Sequence, residues 1–225
     1  RPAVFMIKGI IFDFDGVITD SEPPYIEALI KYLHGFGIDA TFEELQHVIG
    51  KTVDAIATEV IEKYGLQVTI EEFNTESMRI YEEDNDIRKF RPMKGLYEFL
   101  DRCRKKGIRM CIASSSELNY LYTIMDSLEI RDYFEHVISG HGLPRSKPDP
   151  LIYDLAAEKM KLDKKDLMII EDSYNGIRAA AAAGTIPLMV PDMLEPTEEI
   201  RQLTSQEVSV KRRIEGGGAC ELKSA

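Results

Sequence analysis

Cysteine is scarce in this chain of 225 residues, and the three present, Cys103, Cys111 and Cys220, are widely separated. That spacing excludes a disulfide framework and a CxxC-type zinc site. With so few thiols, a reducing, cytoplasmic setting is the simple expectation. Long apolar runs are missing too: none approaches the roughly 18 residues that a membrane-crossing helix needs. No basic-then-apolar stretch opens the sequence, so no secretory signal and no membrane partner are expected. Histidine is rare, and His34, His47, His136 and His141 sit in no metal-ligand spacing. Positive charge is in deficit: 28 Lys and Arg stand against 39 Asp and Glu, for a formal net charge of −11. This balance argues against general nucleic-acid binding. An anionic ligand would need a site that supplies its own positive charge, and a metal ion held by acids would do so.

What is present is ordinary for a globular protein, at 44% hydrophobic and 30% charged residues. The length suits one α/β domain with a small second unit. The informative stretch is residues 7–20, IKGIIFDFDGVITD. Its apolar first half reads as a buried strand of a parallel sheet. The strand runs into Asp13 and Asp15 and stops at Gly16. Positions i and i+2 of a strand point the same way, so both acids can face one site. Two carboxylates at the end of a buried strand are costly unless a cation or hydrogen bonds satisfy them.

Beyond Asp20 the pattern becomes helical. Ser21-Glu22-Pro23-Pro24 resembles a helix start, with Ser21 as N-cap and proline in the first turn. Apolar residues then recur at helical spacing: Ile26, Leu29, Ile30 and Leu33; Leu45, Val48 and Ile49; Ile56, Val60, Ile61 and Tyr64. Thr41 and Glu44 form a capping-box pattern. Residues 71–84 form a further acidic helix. Residues 20–90 thus read as an all-helical insert, and the alternation of strands and helices begins after it. Strands are expected at residues 109–113, 136–139, 167–170 and 186–190. The helix over 95–106 carries Leu96, Phe99, Leu100 and Cys103 as its apolar stripe. Polar clusters close the strands: Ser114-Ser115-Ser116 and Glu171-Asp172-Ser173, with GHGLPRSKPDP forming the loop at 140–150. The fold class is α/β, a Rossmann-like parallel core made of residues 1–19 and 91–204. In such sheets ligands sit beyond the carboxyl ends of the strands, where every one of these clusters lies. Residues 205–225, with a basic triplet and three glycines, read as a weakly ordered tail.

The segments DFDG, ASS, SKPDP and EDS, in this order and each following a strand or in a long loop, resemble the haloacid dehalogenase-like superfamily of phosphatases and phosphomutases. DFDGVITDSE and EDSYNGI resemble its β-phosphoglucomutase-like branch, and the helical insert resembles the lid of that branch. The resemblance implies a role for each residue. Asp13 would be the nucleophile that forms an aspartyl-phosphate. Asp15 would be the general acid and then the base, touching Mg²⁺ through its backbone carbonyl. Ser114 would bind the transferring phosphoryl group, and Lys147 would offset its charge and pair with Asp13. Glu171 and Asp172 would complete the Mg²⁺ site with Asp13. Ser115 and Ser116 suit capping better than ligation, although Ser115 stays in the substrate-binding set with Ser114, Lys147, Tyr25 and Lys51. Ser173 and Asn175 are supporting groups or helix caps.

The match to the mutases themselves thins in the insert. Tyr25 stands where they carry a histidine, and Val53 where they carry an arginine; Lys51 is the nearby positive charge. A lysine is a point charge and not a planar fork, and a mutase must grip a second phosphate. The expected function is therefore a Mg²⁺-dependent phosphatase of a small phosphorylated metabolite, such as a sugar phosphate. A hexose-phosphate mutase and a catalytically idle binding relative are the alternatives. A monomer is the default.

Overall fold

β1, Gly9–Phe12, is buried along its whole length. In the structure, a computed structural model, it lies between β2, Arg109–Ser114, and β4, Leu167–Glu171. Residues 7–48, 51–190, 196–204 and 206–207 are described. β3, His136–Ser139, flanks β2; β5, Ile186–Met189, flanks β4, and all pairings are parallel. The strand order β3-β2-β1-β4-β5-β6 places the reversal of chain direction across the sheet at β1 and β4. A crevice opens at such a switch point. The last strand, β6, covers only Gln206–Glu207, paired to β5. Those two residues fall within the expected tail, whose residues 205 and 208–225 lie outside the described set.

Alternation along β1 divides the core. Ile10 and Phe12 face one side, where Leu96 and Leu100 of α5 (Leu96–Lys105) pack with Leu121 and Ile124 of α6 (Leu118–Ser127). Ile11 faces the other, against Ile152, Tyr153 and Ala156 of α7 (Leu151–Met160) and Ala179 and Ala180 of α8 (Tyr174–Ala182). Both faces are covered, so the strands read as continuous apolar runs. Phe99 departs from the expected stripe of α5. Leu96, Leu100 and Cys103 take the buried face, and Phe99 sits on its rim, partly exposed, edge-on to Phe12 at 6.0 Å.

Between β1 and α5 the chain forms α1 (Glu22–His34), α2 (Phe42–Leu45), α3 (Val53–Tyr64) and α4 (Ile70–Asp84). They share a core of Ile26, Leu29, Leu45, Ile56, Val60 and Phe73. α2 starts with the anticipated capping box: the Thr41 hydroxyl accepts from the Glu44 N–H, and the Glu44 carboxylate accepts from the Thr41 N–H at 2.8 Å. Only one turn long, α2 passes into a 3₁₀ turn at Gln46–Val48. The expected helical residue Ile49 lies outside the described residues. The two connections to the sheet run side by side: Thr19 bridges Pro92, the Thr19 hydroxyl donates to the Arg91 carbonyl at 2.9 Å, and the Met93 N–H donates to the Ile18 carbonyl at 2.8 Å. Among the described residues, no helix is long and apolar enough to cross a membrane.

Cys103 and Cys111 are buried, and burial pushes their thiols up to about 11 and about 12. The thiolate is the reactive form. Peptide mapping after alkylation at about pH 8 should therefore find both residues unlabelled in the native protein and labelled after unfolding. Rapid native labelling of Cys111 would contradict the packing described.

Candidate active site

Three strand ends deliver the acids and the hydroxyl. The Asp13 N–H donates to the Ile170 carbonyl at 2.9 Å, which fixes the first acid against β4 just as β1 ends. Glu171 closes β4 and Ser114 closes β2. Lys147 arrives from the loop before α7. That loop is tied back by the Gly140 N–H to the Ser114 carbonyl at 2.7 Å, and the Asp149 carboxylate caps the Leu151 N–H at 3.0 Å.

The Lys147 ammonium, almost wholly buried, donates to Asp13 Oδ1 and Glu171 Oε1, each at 2.7 Å. Its Nζ also lies 5.0 Å from the centre of the Tyr153 ring. Burial works against the charge on Lys147, yet Asp13 and Glu171 hold its pKa well above the usual lysine value. Glu171 is likewise penalised by burial, but Lys147 and the Ser173 donors keep it below the usual carboxylate range. For Asp13 burial wins: its carboxyl is pushed up to about 7 despite Lys147, with the Glu171 charge adding to the rise. Three buried carboxylates, Asp13, Glu171 and Asp172, thus face one buried ammonium, an excess of negative charge suited to a cation.

Ligand atoms of Asp13, Glu171 and Asp172 all lie within 4.8 Å of one another. The donors are hard oxygens, the set that Mg²⁺ prefers. Space for the third acid depends on Gly16, whose φ is +76° and whose missing Cβ leaves the room that the Asp172 carboxylate fills. Glu171 differs from the other two. Its Oε1 accepts from Lys147 and from the Tyr153 hydroxyl at 2.9 Å; its Oε2 accepts from the Asp172 N–H, the Ser173 N–H and the Ser173 hydroxyl, all at 2.9 Å. Five donors use up what a carboxylate can accept. Asp13 and Asp172 therefore retain the capacity to ligate a cation, while Glu171 orients Lys147. Ser173 fills both anticipated roles, since its hydroxyl also accepts from the Gly176 N–H at the start of α8. The Asn175 side chain instead accepts from Arg178 at 3.5 Å.

The Asp15 side chain lies outside this acidic trio. It is held by three hydroxyls. Ser21 donates to Oδ1, Tyr120 of α6 donates to Oδ1 at 3.0 Å, and Ser116 donates to Oδ2 at 2.7 Å. Burial and the Asp15 charge push the Tyr120 hydroxyl well above the ordinary tyrosine range, so it stays a donor. Two expectations change as a result. Ser21 precedes α1 but makes no side-chain cap, because its hydroxyl is committed to Asp15. Ser116 acts on Asp15 and is no cap. Sequence reasoning passed over Tyr120 and Tyr153; Tyr153 falls on the apolar stripe of α7, where nothing in the pattern marks it.

Ser114 is buried, and its hydroxyl accepts from the Ser116 N–H at 3.1 Å. Ser114, Ser115, Tyr25 and Lys51 all line one cavity with Asp13 and Asp15. Tyr25 packs edge-on to Tyr81 at 5.8 Å, and the Tyr81 hydroxyl meets that of Tyr120 at 3.3 Å, joining α4 to α6 across the cavity. Lys51 is paired with Glu59, so its charge is already met within the insert. Lys147, being buried behind Asp13, is absent from the cavity lining.

Buried acids at two strand ends, a buried lysine between them and a helical insert beside the same cavity mark an α/β protein with its site at the carboxyl ends of the strands. The family profile of haloacid dehalogenase-like hydrolases matches residues 10–190, and the chain belongs to that family. It is 29% identical over 191 residues to hexitol phosphatase B of Escherichia coli, covering 82% of this chain and 84% of that one. It is 27% identical over 189 residues to a phosphoglycolate phosphatase of Nitrosospira multiformis, covering 82% and 83%. The crystal structure of β-phosphoglucomutase from Clostridium difficile shares the fold with a TM-score of 0.76 at 22% identity, covering 90% of this chain and 91% of that one.

Replacing Glu171 by Gln should cost about 1–3 kcal/mol of folding free energy, because an amide NH2 then faces buried donors that the carboxylate accepted and leaves them unpaired. Urea unfolding of the two proteins measures this directly. A loss well under 1 kcal/mol, within the range of an exposed ion pair, would show that Lys147 is not held as described.

Proposed function

We propose that the chain is a Mg²⁺-dependent phosphatase that hydrolyses a small phosphate monoester through an aspartyl-phosphate on Asp13. The observation that carries this reading is the Asp13 carboxylate, held at 2.7 Å by Lys147, opening into the same cavity as Asp15. Family membership and the names of the curated relatives support phosphoric monoesters as the substrate class.

In the first step an Asp13 oxygen attacks phosphorus, the bond from phosphorus to the ester oxygen breaks, and that oxygen takes up a proton delivered through Asp15 as general acid. In the second step Asp15 takes a proton from water. The water oxygen attacks phosphorus, phosphate leaves, and Asp13 is restored. Lys147 holds Asp13 in position and offsets part of the charge on the phosphoryl oxygens. Ser21, Ser116 and Tyr120 aim Asp15 at the leaving oxygen. Ser114, beside the start of α6, offers its hydroxyl to the phosphoryl group. Mg²⁺, held by Asp13 and Asp172 with the Asp15 backbone carbonyl that the family resemblance implies, would neutralise charge on the transferring group. Residues 20–90 act as the lid, which excludes bulk water and chooses the substrate.

Hydrolysis is favoured over phosphomutase chemistry by the insert itself. Lys51 is engaged by Glu59, and Val53 supplies no charge, so a second phosphate finds no grip there. A purely binding role is disfavoured by the intact set of Asp13, Asp15, Lys147 and Asp172. Every side chain in the scheme comes from one chain, so a monomer suffices.

Phosphate release from a panel of monoesters should require Mg²⁺ and stop with EDTA. Asp13→Asn should abolish it, and Asp15→Ala should slow it by about 10²–10⁴-fold. Release that persists in EDTA, or in Asp13→Asn, would overturn the scheme.

A further inference from the structure

The cavity shared by the sheet and the insert measures about 540 Å³, within the range of small-molecule sites. Acids line both of its ends. Asp13, Asp15 and Ser114 form the phosphoryl end. The wall contributed by α3 and α4 carries Asp54, Asn74, Thr75 and Glu82. Asn74 donates to Asp54 Oδ1 at 2.6 Å, so an amide and a carboxylate stand side by side. The ammonium on this wall, Lys51, is paired with Glu59, which also takes His47 at 2.5 Å. Across the mouth, His141 lies 3.6 Å from Glu117. Among the described residues, no arginine lines the cavity.

A second phosphate or a carboxylate on the substrate would meet Asp54 and Glu82 with no uncommitted cation nearby. It would give up water without gaining a counter-charge. Hydroxyl groups are matched: each can donate to a carboxylate and accept from the Asn74 amide or the Thr75 hydroxyl. We propose that this wall selects the monophosphate of an uncharged, polyhydroxylated alcohol and rejects esters that carry a second anionic group, with Asp54 and Glu82 as the specificity-determining residues. The inference rests on the phosphatase reading and adds the identity of the ester's other end. Both acids are exposed at the cavity mouth, so the discrimination is electrostatic and screened by salt.

The test compares kcat/KM with Mg²⁺ for a hexitol monophosphate, a hexose bisphosphate, phosphoglycolate, an aminoalkyl monophosphate and p-nitrophenyl phosphate. The hexitol ester should exceed the bisphosphate and phosphoglycolate by about tenfold or more. The ratio should shrink severalfold, chiefly through KM, in the double variant Asp54→Asn/Glu82→Gln, and it should also shrink at high salt in the unaltered protein. Both amides are isosteric and exposed, so the fold is retained. Equal or better turnover of the anionic esters, a preference for the aminoalkyl ester, or a ratio unmoved by the double variant would overturn the inference. Turnover of the aryl ester without preference for the hexitol ester would overturn this inference alone. Absence of release from every ester, the aryl one included, would overturn the phosphatase reading with it.

Discussion

The Lys147 ammonium between Asp13 and Glu171 is the interaction on which the site depends. It joins the ends of β1 and β4 through a loop that neither strand touches in sequence, and it does so where water is excluded. A single buried ammonium does not balance three buried carboxylates, and the imbalance is uneven. Glu171 has five donors and stays ionised; Asp13 shares Lys147 and has its carboxyl raised to about 7 by burial. One acid is thereby fixed as a structural anion, while the other keeps an edge on the cavity. Had Glu171 been free to ligate, Lys147 would have lost the partner that aims it.

A second arrangement sits two residues away. Asp15 is approached by hydroxyls from three places: Ser21 at the entrance to the insert, Ser116 in the turn after β2, and Tyr120 on α6. Tyr120 in turn meets Tyr81 of α4. The proposed acid and base is thus positioned by both the sheet and the helices above it. The paired connections at Thr19–Pro92 and Ile18–Met93 bring the helical insert over the strand ends with little slack.

Much of this was legible in the sequence, because its cues are local. Apolar runs of four to six residues marked β1 to β5, and the acids and serines that followed them marked the strand ends where a site forms. Helices α4 and α5 begin and end within one residue of where their spacing puts them. What escaped was set by tertiary contact. Ser21 looks like an N-cap because serine before a proline-rich first turn usually is one, and only the fold brings Asp15 within its reach. Tyr153 is indistinguishable from a core aromatic until Glu171 is seen beside its hydroxyl. Glu171 and Asp172 are adjacent acids in the sequence, yet one is saturated by donors and the other faces the backbone of Gly16. Phe99 kept helical spacing but missed the buried face, since Leu96, Leu100 and Cys103 already fill it.

The central claim is that phosphorus passes through the Asp13 carboxylate. Mass spectrometry of the protein quenched in acid during turnover of a monoester with Mg²⁺ addresses it most directly. The account predicts one added phosphoryl group on the peptide that holds Asp13, labile to base, accumulating in Asp15→Ala and absent from Asp13→Asn. Sustained phosphate release with no such adduct, or with the adduct on another residue, would contradict it.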